Sequence, residues 1–265
     1  MNSLQRITSI LEAKTLDTAI TGVQTFNLAQ LSLKEVLDFQ LPKKLRLGHL
    51  VERIVSELIK SSNKYELLYE SLQIQENKKT IGEIDFIIRE QNTGQILHLE
   101  LAYKFYLYDP SISTHAINNW VGPNRNDSLK TKLEKLKSNQ FPLLFKEPTK
   151  ESINELAVNE IDQALCLMAS LFIPYQIKGD LSFIYKKNTT GLYMDTATFR
   201  GLDHTDGEYY IPSKSEWGMK PSDNDSWIEY DEIQQHINFI TKEKQSLLCW
   251  RKQNESYSQF FITWW

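Results

Sequence analysis

The sequence predicts an α+β protein, and three features of the chain support this class. An amphipathic stretch with helical spacing precedes two apolar stretches that alternate like strands, and a long apolar run lies further along. The chain has 265 residues, of which 41% are hydrophobic. That composition suffices for one large domain or two modest ones, and it excludes a chain that is disordered throughout.

A helix is predicted over about residues 45–60, after Pro42. Its apolar residues recur at helical spacing and form one stripe, which comprises Leu47, Val51, Ile54 and Leu58. The polar segment Ser61-Ser62-Asn63 is expected to end the helix.

Three strands are predicted next. The polar turn 77–79 separates the region 67–74 from the run 84–88, and the turn 91–94 leads into the run 96–105. The last run alternates regularly, so its side chains point to two faces. One face carries Leu97, Leu99, Leu101, Tyr103 and Phe105, and the other carries Ile96, His98, Glu100, Ala102 and Lys104. Of the first face, Leu97, Leu99, Leu101 and Phe105 are expected in the core.

The register of the last two strands depends on the turn between them. If the turn is symmetrical about Asn92-Thr93, paired residue numbers sum to 185, and Asp85 lies opposite Glu100. A three-residue turn with Gly94 in a bulge makes the sum 186 and places Asp85 opposite Leu101. In the first register two like charges face each other, which costs stability unless a cation, a proton or a basic side chain neutralises them.

A second helix and a further strand are expected after this hairpin. The helix begins near Asn126 or Asp127 and buries Leu129, Leu133 and Leu136 on one face. The apolar run 164–175 is interpreted as a strand buried on both faces, although its length also permits a helix.

The two ends of the chain are expected to be additions to this central part. Residues 1–40 predict one or two short helices, and the C-terminal part predicts one helix near Tyr230–Ile240 with short strands around it. The strand candidates are Phe183-Ile184-Tyr185, Gly191-Leu192-Tyr193 and Phe260-Phe261-Ile262. The resulting division is an N-terminal helical extension (1–45), a core (46–176) and a C-terminal mixed α/β extension packed on the core (177–265).

Composition limits the classes of partner. A formal net charge of −4 and a pI near 5.8 are not typical of a protein that coats nucleic acid, so any such contact must be local. The best candidates for it are Arg125, Lys130, Lys132, Lys135 and Lys137. The alternative for this basic stretch is an ordinary solvated helix face.

Features that the sequence lacks argue against several functions. It has no apolar run long enough to span a membrane and no apolar start typical of a signal peptide, so we expect a cytoplasmic protein without a membrane partner. Neither a Gly-x-Gly-x-x-Gly nor a Walker-type motif occurs, which argues against a nucleotide cofactor. Cys166 and Cys249 lie in apolar runs and are expected to be small buried thiols.

Asp85, Glu100 and Lys104 form the group of residues that is most typical of a catalytic site. Metal-dependent cleavage of a phosphodiester needs carboxylates that hold a hard cation, a group that orients water, and a positive charge near the developing phosphorane. His98 and Lys104 share the face of Glu100. His98 is either a hydrogen-bonded structural residue or a base or ligand of the site. The alternative is a solvent-facing sheet surface on which Glu100 and Lys104 form an ordinary ion pair.

The motifs resemble those of known families. The predicted order of helix, three antiparallel strands, helix and strand, with Asp85 and Glu100 on successive strands, resembles the restriction-endonuclease-like core of the PD-(D/E)XK nuclease superfamily. A closer resemblance is to an uncharacterised bacterial family, domain of unknown function 1853. It rests on Gly82-Glu83-Ile84-Asp85, on residues 98–107, on Val121-Gly122-Pro123-Asn124 and on the closing Phe260-Phe261-Ile262-Thr263-Trp264-Trp265.

The nuclease resemblance implies roles for individual residues. Asp85 and Glu100 would bind Mg²⁺ or Mn²⁺, with the backbone carbonyl of Leu101 as a third ligand and Glu52 of the first helix as a further or water-mediated one. The lysine position of Glu-x-Lys is occupied by Ala102, and Lys104, two residues along the same strand face, is the candidate to replace it.

Two functions are therefore expected from the sequence. The first is a metal-dependent DNA phosphodiesterase in which Lys104 orients water or stabilises the transition state. The second is a catalytically inactive module of the same fold that binds nucleic acid or a protein partner, which the acidic pI and the displaced lysine favour.

Overall fold

A computed structural model describes residues 3–33, 40–42, 45–177 and 183–265. They form a mixed α+β protein with a ten-stranded mixed sheet and several helices. The expected N-terminal helical extension falls in part on residues 34–39 and 43–44, which lie outside the described residues. Within the described ranges, no helix is long and apolar enough to cross a membrane.

The helices and strands have the following bounds. The α-helices are α1 (Ser3–Leu11), α2 (Thr18–Thr21), α3 (Leu47–Lys60), α4 (Leu129–Lys135), α5 (Phe141–Leu143), α6 (Glu147–Ser152), α7 (Phe183–Lys186), α8 (Thr196–Arg200) and α9 (Tyr230–Lys242). The strands are β1 (Tyr65–Glu76), β2 (Lys79–Glu90), β3 (Ile96–Tyr108), β4 (Trp120–Val121), β5 (Ile161–Pro174), β6 (Thr189–Asp195), β7 (Gly207–Tyr210), β8 (Ile228–Glu229), β9 (Leu247–Gln253) and β10 (Ser256–Thr263).

The chain divides into two compact units, each made of several segments. Unit I comprises Thr15–Tyr103 and Thr131–Met168, and unit II comprises Met1–Lys14, Lys104–Lys130 and Ala169–Trp265. The division into 1–45, 46–176 and 177–265 is a division along the chain, whereas these units are spatial groupings, and that division stays a prediction.

Unit I is built on the antiparallel order β1-β2-β3, with β5 next to β3. Helix α3 packs against β1. Four residue pairs of β2 and β3 have numbers that sum to 185, from Phe86–Leu99 to Arg89–Ile96. The symmetrical register is therefore confirmed. It follows from the turn, where the Glu90 amide donates to the carbonyl of Gln95 at 2.8 Å and closes the loop.

The predicted elements of this region are confirmed. The helix 45–60, the three strands and the helix after Asp127 occur as α3, β1 to β3 and α4, and the apolar run 164–175 is a strand, part of β5. The residues expected in the core of β3 are buried, and they include Leu97, Leu99, Leu101 and Phe105. The opposite face of β3 is also covered, since His98, Glu100 and Ala102 are buried.

Unit II contains a parallel part and an antiparallel part. Strand β6 is parallel to both β5 and β10, and the antiparallel order β10-β9-β7-β8 continues from there. Strands β6 and β10 and helix α9 confirm three predicted elements. The predicted strand Phe183-Ile184-Tyr185 is wrong, because these residues form helix α7. A three-residue apolar run carries too little periodicity to distinguish the two structures.

Both expected thiols are confirmed as free and buried.

Candidate functional site

Asp85 and Glu100 lie in unit I, directly beyond the point at which the regular pairing of β2 with β3 ends. The paired residues of these strands run as far as Phe86–Leu99. In this register the Leu101 amide would next donate to the carbonyl of Ile84. It donates instead to Oδ2 of Asp85 at 2.8 Å. The carboxylate thus takes the place of a backbone acceptor, which fixes the Asp85 side chain beside the backbone of the neighbouring strand.

A buried histidine holds Glu100. The Glu100 side chain is only 1% exposed, and its Oε1 lies 2.9 Å from Nε2 of His98. The amide nitrogen of Gln163 donates to Nδ1 of His98 at 3.2 Å and to the carbonyl of Phe141 at 2.7 Å. Because Nδ1 accepts, the hydrogen-bond network assigns the proton of neutral His98 to Nε2, which donates to Glu100.

A second neutral donor reaches Glu100 from the helical segment after α4. Nε2 of Gln140 lies 3.3 Å from Oε2 of Glu100 and 3.3 Å from the carbonyl of Glu83. Residues 136–140 form a π-helical turn between α4 and α5. Such turns are frequent at functional sites. Each oxygen of Glu100 therefore accepts one hydrogen bond and keeps a second lone pair for another partner.

Electrostatics make Asp85 the unusual member of the pair. Burial and the negative charge of Glu100 raise the pKa of Asp85 to about 8. The charge of Glu52 raises this pKa further, whereas the Leu101 amide and the charge of Lys132 lower it. At neutral pH the pair therefore favours a proton or a cation between the two carboxylates.

Glu52 lies on α3 and acts on Asp85 through its charge. Its Oε2 is 3.0 Å from Nδ1 of His49. Glu57, the other glutamate that flanks the apolar stripe, forms ion pairs with Arg53 and Lys60 at 3.0 and 3.5 Å. This difference agrees with the choice of Glu52 as the glutamate of the site, while its role as a ligand stays a prediction.

Lys104 has an ion-pair partner that the sequence did not indicate. Its Nζ lies 2.8 Å from Oδ2 of Asp127. The alternative in which Glu100 and Lys104 form an exposed surface pair is wrong, because Glu100 is buried and accepts from His98 and Gln140. The catalytic role of Lys104 stays a prediction.

The five cations of the basic stretch have different surroundings. Lys132 is half-buried, whereas Lys130, Lys135 and Lys137 are exposed. Arg125 pairs with Asp109 and stacks on the ring of Trp265, so its charge is already compensated. The exposure of these cations therefore differs along the stretch, and its contact with nucleic acid stays a prediction.

A cleft of about 600 Å³ lies within unit I, and neither Asp85 nor Glu100 lines it. Gln140, which donates to Glu100, also lines this cleft, as does Glu83. The remaining lining residues are Thr80, Ile81, Gly82, Lys135, Ser138, Asn139 and Lys146. Two lysines and several uncharged polar groups thus line a cleft that Gln140 connects to Glu100.

The oxygen donors fit a hard divalent cation. Mg²⁺ is usually held by one or two carboxylates together with water and substrate phosphates. Asp85 and Glu100 offer such a pair, and neither soft nor imidazole ligands are needed. Among the described residues, no group of three or more His, Cys, Asp or Glu side chains is arranged to hold a metal by itself.

Sequence reasoning missed Gln140, Gln163 and Lys146. Glutamines have no periodic or compositional signal of function, and these residues follow Glu100 by 40, 63 and 46 positions in the chain. A weak signal existed only for Gln140, which lies just before Pro142, since a proline commonly marks the end of a helix.

The family comparison agrees with the sequence motifs. A model described as domain of unknown function DUF1853 matches residues 4–259. The chain belongs to this family. The DUF1853 match spans both units and all the quoted motifs except the last six residues of the chain. No curated protein and no solved structure matches the chain.

Proposed function

We propose that this DUF1853 protein is a metal-dependent phosphodiesterase that cleaves DNA. The observation that carries the proposal is the proximity of the Asp85 and Glu100 carboxylates, whose burial and repulsion raise the pKa of Asp85, together with Gln140, which connects Glu100 to an open cleft. A fold gains nothing in stability from two desolvated carboxylates on neighbouring strands unless something neutralises them. A divalent cation does so and turns an unfavourable pair into a catalytic one.

The proposal includes a restriction-endonuclease-like core. The order of α3, β1, β2, β3, α4 and β5 along the chain supports it. So does the placement of Asp85 and Glu100 on the second and third strands, since the same positions carry the metal ligands in the family that the motifs resemble.

The proposal assigns a separate role to each residue of the site. Asp85 and Glu100 hold Mg²⁺ or Mn²⁺, with the Leu101 carbonyl and Glu52 as further ligands. The bound cation would lower the pKa of a water molecule and neutralise charge on the phosphate. His98 and Gln140 hold the Glu100 carboxylate in its orientation.

Positive charge for the phosphate has two sources in this scheme. Lys132 acts on Asp85 through its charge, so it is the better placed candidate for the role first given to Lys104. Lys135 and Lys146 line the cleft and would contact the backbone of the substrate.

Calorimetric Mn²⁺ titration combined with a DNA cleavage assay tests the proposal. Wild type should bind Mn²⁺ saturably, and Asp85→Asn and Glu100→Gln should lose both binding and cleavage. Glu66→Gln is the matched control, because Glu66 is an exposed carboxylate of the same sheet that pairs with Arg89 at 3.0 Å. Cleavage that survives in Asp85→Asn, or the absence of Mn²⁺ binding by wild type even with DNA, would refute it.

One observation favours a second candidate function, a non-catalytic binding module. The Glu-x-Lys position is Ala102, and Lys104 is paired with Asp127. In that case wild type cuts no DNA with any divalent cation, yet it binds nucleic acid or a protein. For nucleic acid, binding should weaken with salt and with the double change Lys135→Ala and Lys146→Ala.

A further inference from the structure

Unit II contains a cavity at the carboxyl ends of its three parallel strands. Strands β5, β6 and β10 end at Pro174, Asp195 and Thr263, and all three of these residues line a cavity of about 230 Å³. Ligands of sheets with parallel strands bind outside the carboxyl ends of those strands. The position of this cavity therefore indicates a binding site.

The cavity combines aromatic walls with a few polar groups. The aromatic residues are Tyr175, Tyr193 and Trp265, and the polar residues are Gln176, Asp195, Thr198 and Thr263. Its volume is below the roughly 300 to 1,000 Å³ of pockets for drug-sized ligands. A single flat ring system fits this size better than a larger molecule.

Contacts at the edge and on the face of its ring hold the Trp265 side chain in place. Its Nε1 donates to the carbonyl of Pro123 at 3.0 Å, and the guanidinium of Arg125 lies 3.7 Å from the ring centroid. Arg125 in turn pairs with buried Asp109, which accepts hydrogen bonds from the amide and hydroxyl of Ser111 at 3.0 and 2.6 Å. An aromatic wall held in this way needs little ordering when a ligand binds.

Two sequence motifs that the metal site does not use meet at this wall. Pro123 belongs to Val121-Gly122-Pro123-Asn124, and Trp265 closes the segment Phe260–Trp265. The first motif is anchored further by Ser246, whose amide donates to Oδ1 of Asn124 at 2.7 Å and whose hydroxyl donates to the carbonyl of Pro123 at 2.6 Å. Both motifs thus serve to position one aromatic wall of the cavity.

We propose that this cavity binds one nucleobase. Flat aromatic walls stack on the face of a base whatever its identity. Asp195 accepts from the Thr198 amide at 2.7 Å, and its carboxylate has acceptor capacity beyond that bond. A carboxylate accepts from the exocyclic amino groups of adenine, cytosine or guanine, as it does from cytosine in DNA grooves, whereas uracil and thymine have no such group.

The base can come from a free nucleoside or from a single strand, and calorimetric titration separates the two. The probes are adenosine, cytidine and uridine, a short oligodeoxyadenosine, and the same strand with abasic sites. Saturable binding of adenosine identifies a nucleoside site. Binding of the base-bearing strand without binding of nucleosides identifies a site for a base within a strand.

Variants show whether the base lies in this cavity. Tyr175 is 42% exposed, so Tyr175→Ala leaves the core intact and should weaken binding at least about fivefold, as loss of a stacking ring does. Phe239→Ala is the matched control, because Phe239 is 71% exposed on α9 of the same unit and does not line the cavity. Asp195→Asn should reduce the preference for adenosine and cytidine over uridine while α8 stays capped, since Asn caps helices as well as Asp does.

Three results would overturn the proposal. They are the absence of saturable binding by every nucleoside and by the strand, equal binding of abasic and base-bearing strands, and an equal loss in Tyr175→Ala and Phe239→Ala. The readout is binding without added metal, so it is independent of Asp85 and Glu100, and a failure here leaves the proposed phosphodiesterase untouched.

Discussion

The substitution Asp85→Asn should change how the stability of the protein depends on pH. Burial and Glu100 raise the pKa of Asp85 from 3.8 in its model compound to about 8. Between these values the folded protein holds a proton on Asp85 that the unfolded chain has lost. The free energy of unfolding should therefore fall as the pH rises from about 4 to about 8, and it should level off above that.

The magnitude follows from the width of this window. A group that is protonated only in the folded state removes up to about 1.4 kcal/mol of stability for each pH unit. Over the whole window Asp85 accounts for at most about 6 kcal/mol. Asparagine is neutral in both states and keeps an oxygen that can accept from the Leu101 amide. Asp85→Asn should therefore be more stable than wild type by a margin that grows from about 1.5 kcal/mol at pH 5 to its full value above pH 8.

Urea denaturation at pH 5, 7 and 9 measures this difference. Glu66→Gln is the control for the loss of an ordinary exposed carboxylate. In the proposed function, Mn²⁺ at pH 9 should restore stability to wild type and not to Asp85→Asn, by about 2.7 kcal/mol at a concentration one hundred times its dissociation constant. Parallel pH profiles for wild type and Asp85→Asn would show that Asp85 is an ordinary carboxylate, and the reasoning would be wrong.

Three further predictions concern the sheet, the lysines and one glycine. Leu99→Ala should lower the free energy of unfolding by about 2 to 5 kcal/mol in urea denaturation, because Leu99 is fully buried, and a loss below 1 kcal/mol would contradict its place in the core. Under the proposed function, Lys132→Ala should reduce DNA cleavage more than Lys104→Ala in a fluorescence assay, and the reverse order would return the role to Lys104. A Cβ at Gly122 would overlap Oδ1 of Asp127, so Gly122→Ala should destabilise the protein by about 1 to 3 kcal/mol in urea, and the loss should largely vanish in an Asp127→Ala background.

The parts of the site that the sequence predicts are those set by local rules. The pairing of β2 with β3 follows from a period of two and from one short turn, so the register of residues 86–89 with 96–99 was predictable from the sequence, whereas the bond from the Leu101 amide to the Asp85 carboxylate was not. Helix α3 was predictable because its apolar residues repeat at helical spacing over about four turns.

The parts that the sequence does not predict depend on contacts between distant residues. The alternation of the strand predicts the sheet face on which Lys104 lies. Its ion pair with Asp127 could not be predicted, because it depends on how the 22 residues between them fold. The donors to Glu100 and to His98, Gln140 and Gln163, come from later segments whose side chains carry no pattern. Burial of His98 and Glu100 was likewise hidden, because a polar residue in an alternating strand usually marks the solvent side.

The π-helical turn at residues 136–140 makes the spacing between α4 and α5 a determinant of the site. One residue more or fewer in a helix rotates everything beyond it by about 100°. A deletion there, for example of exposed Ser138, would turn Gln140 away from Glu100 without altering any residue of the carboxylate pair. In an alignment of family members, a gap at this position would therefore mark chains in which Gln140 no longer donates to Glu100. Such chains could still carry both Asp85 and Glu100.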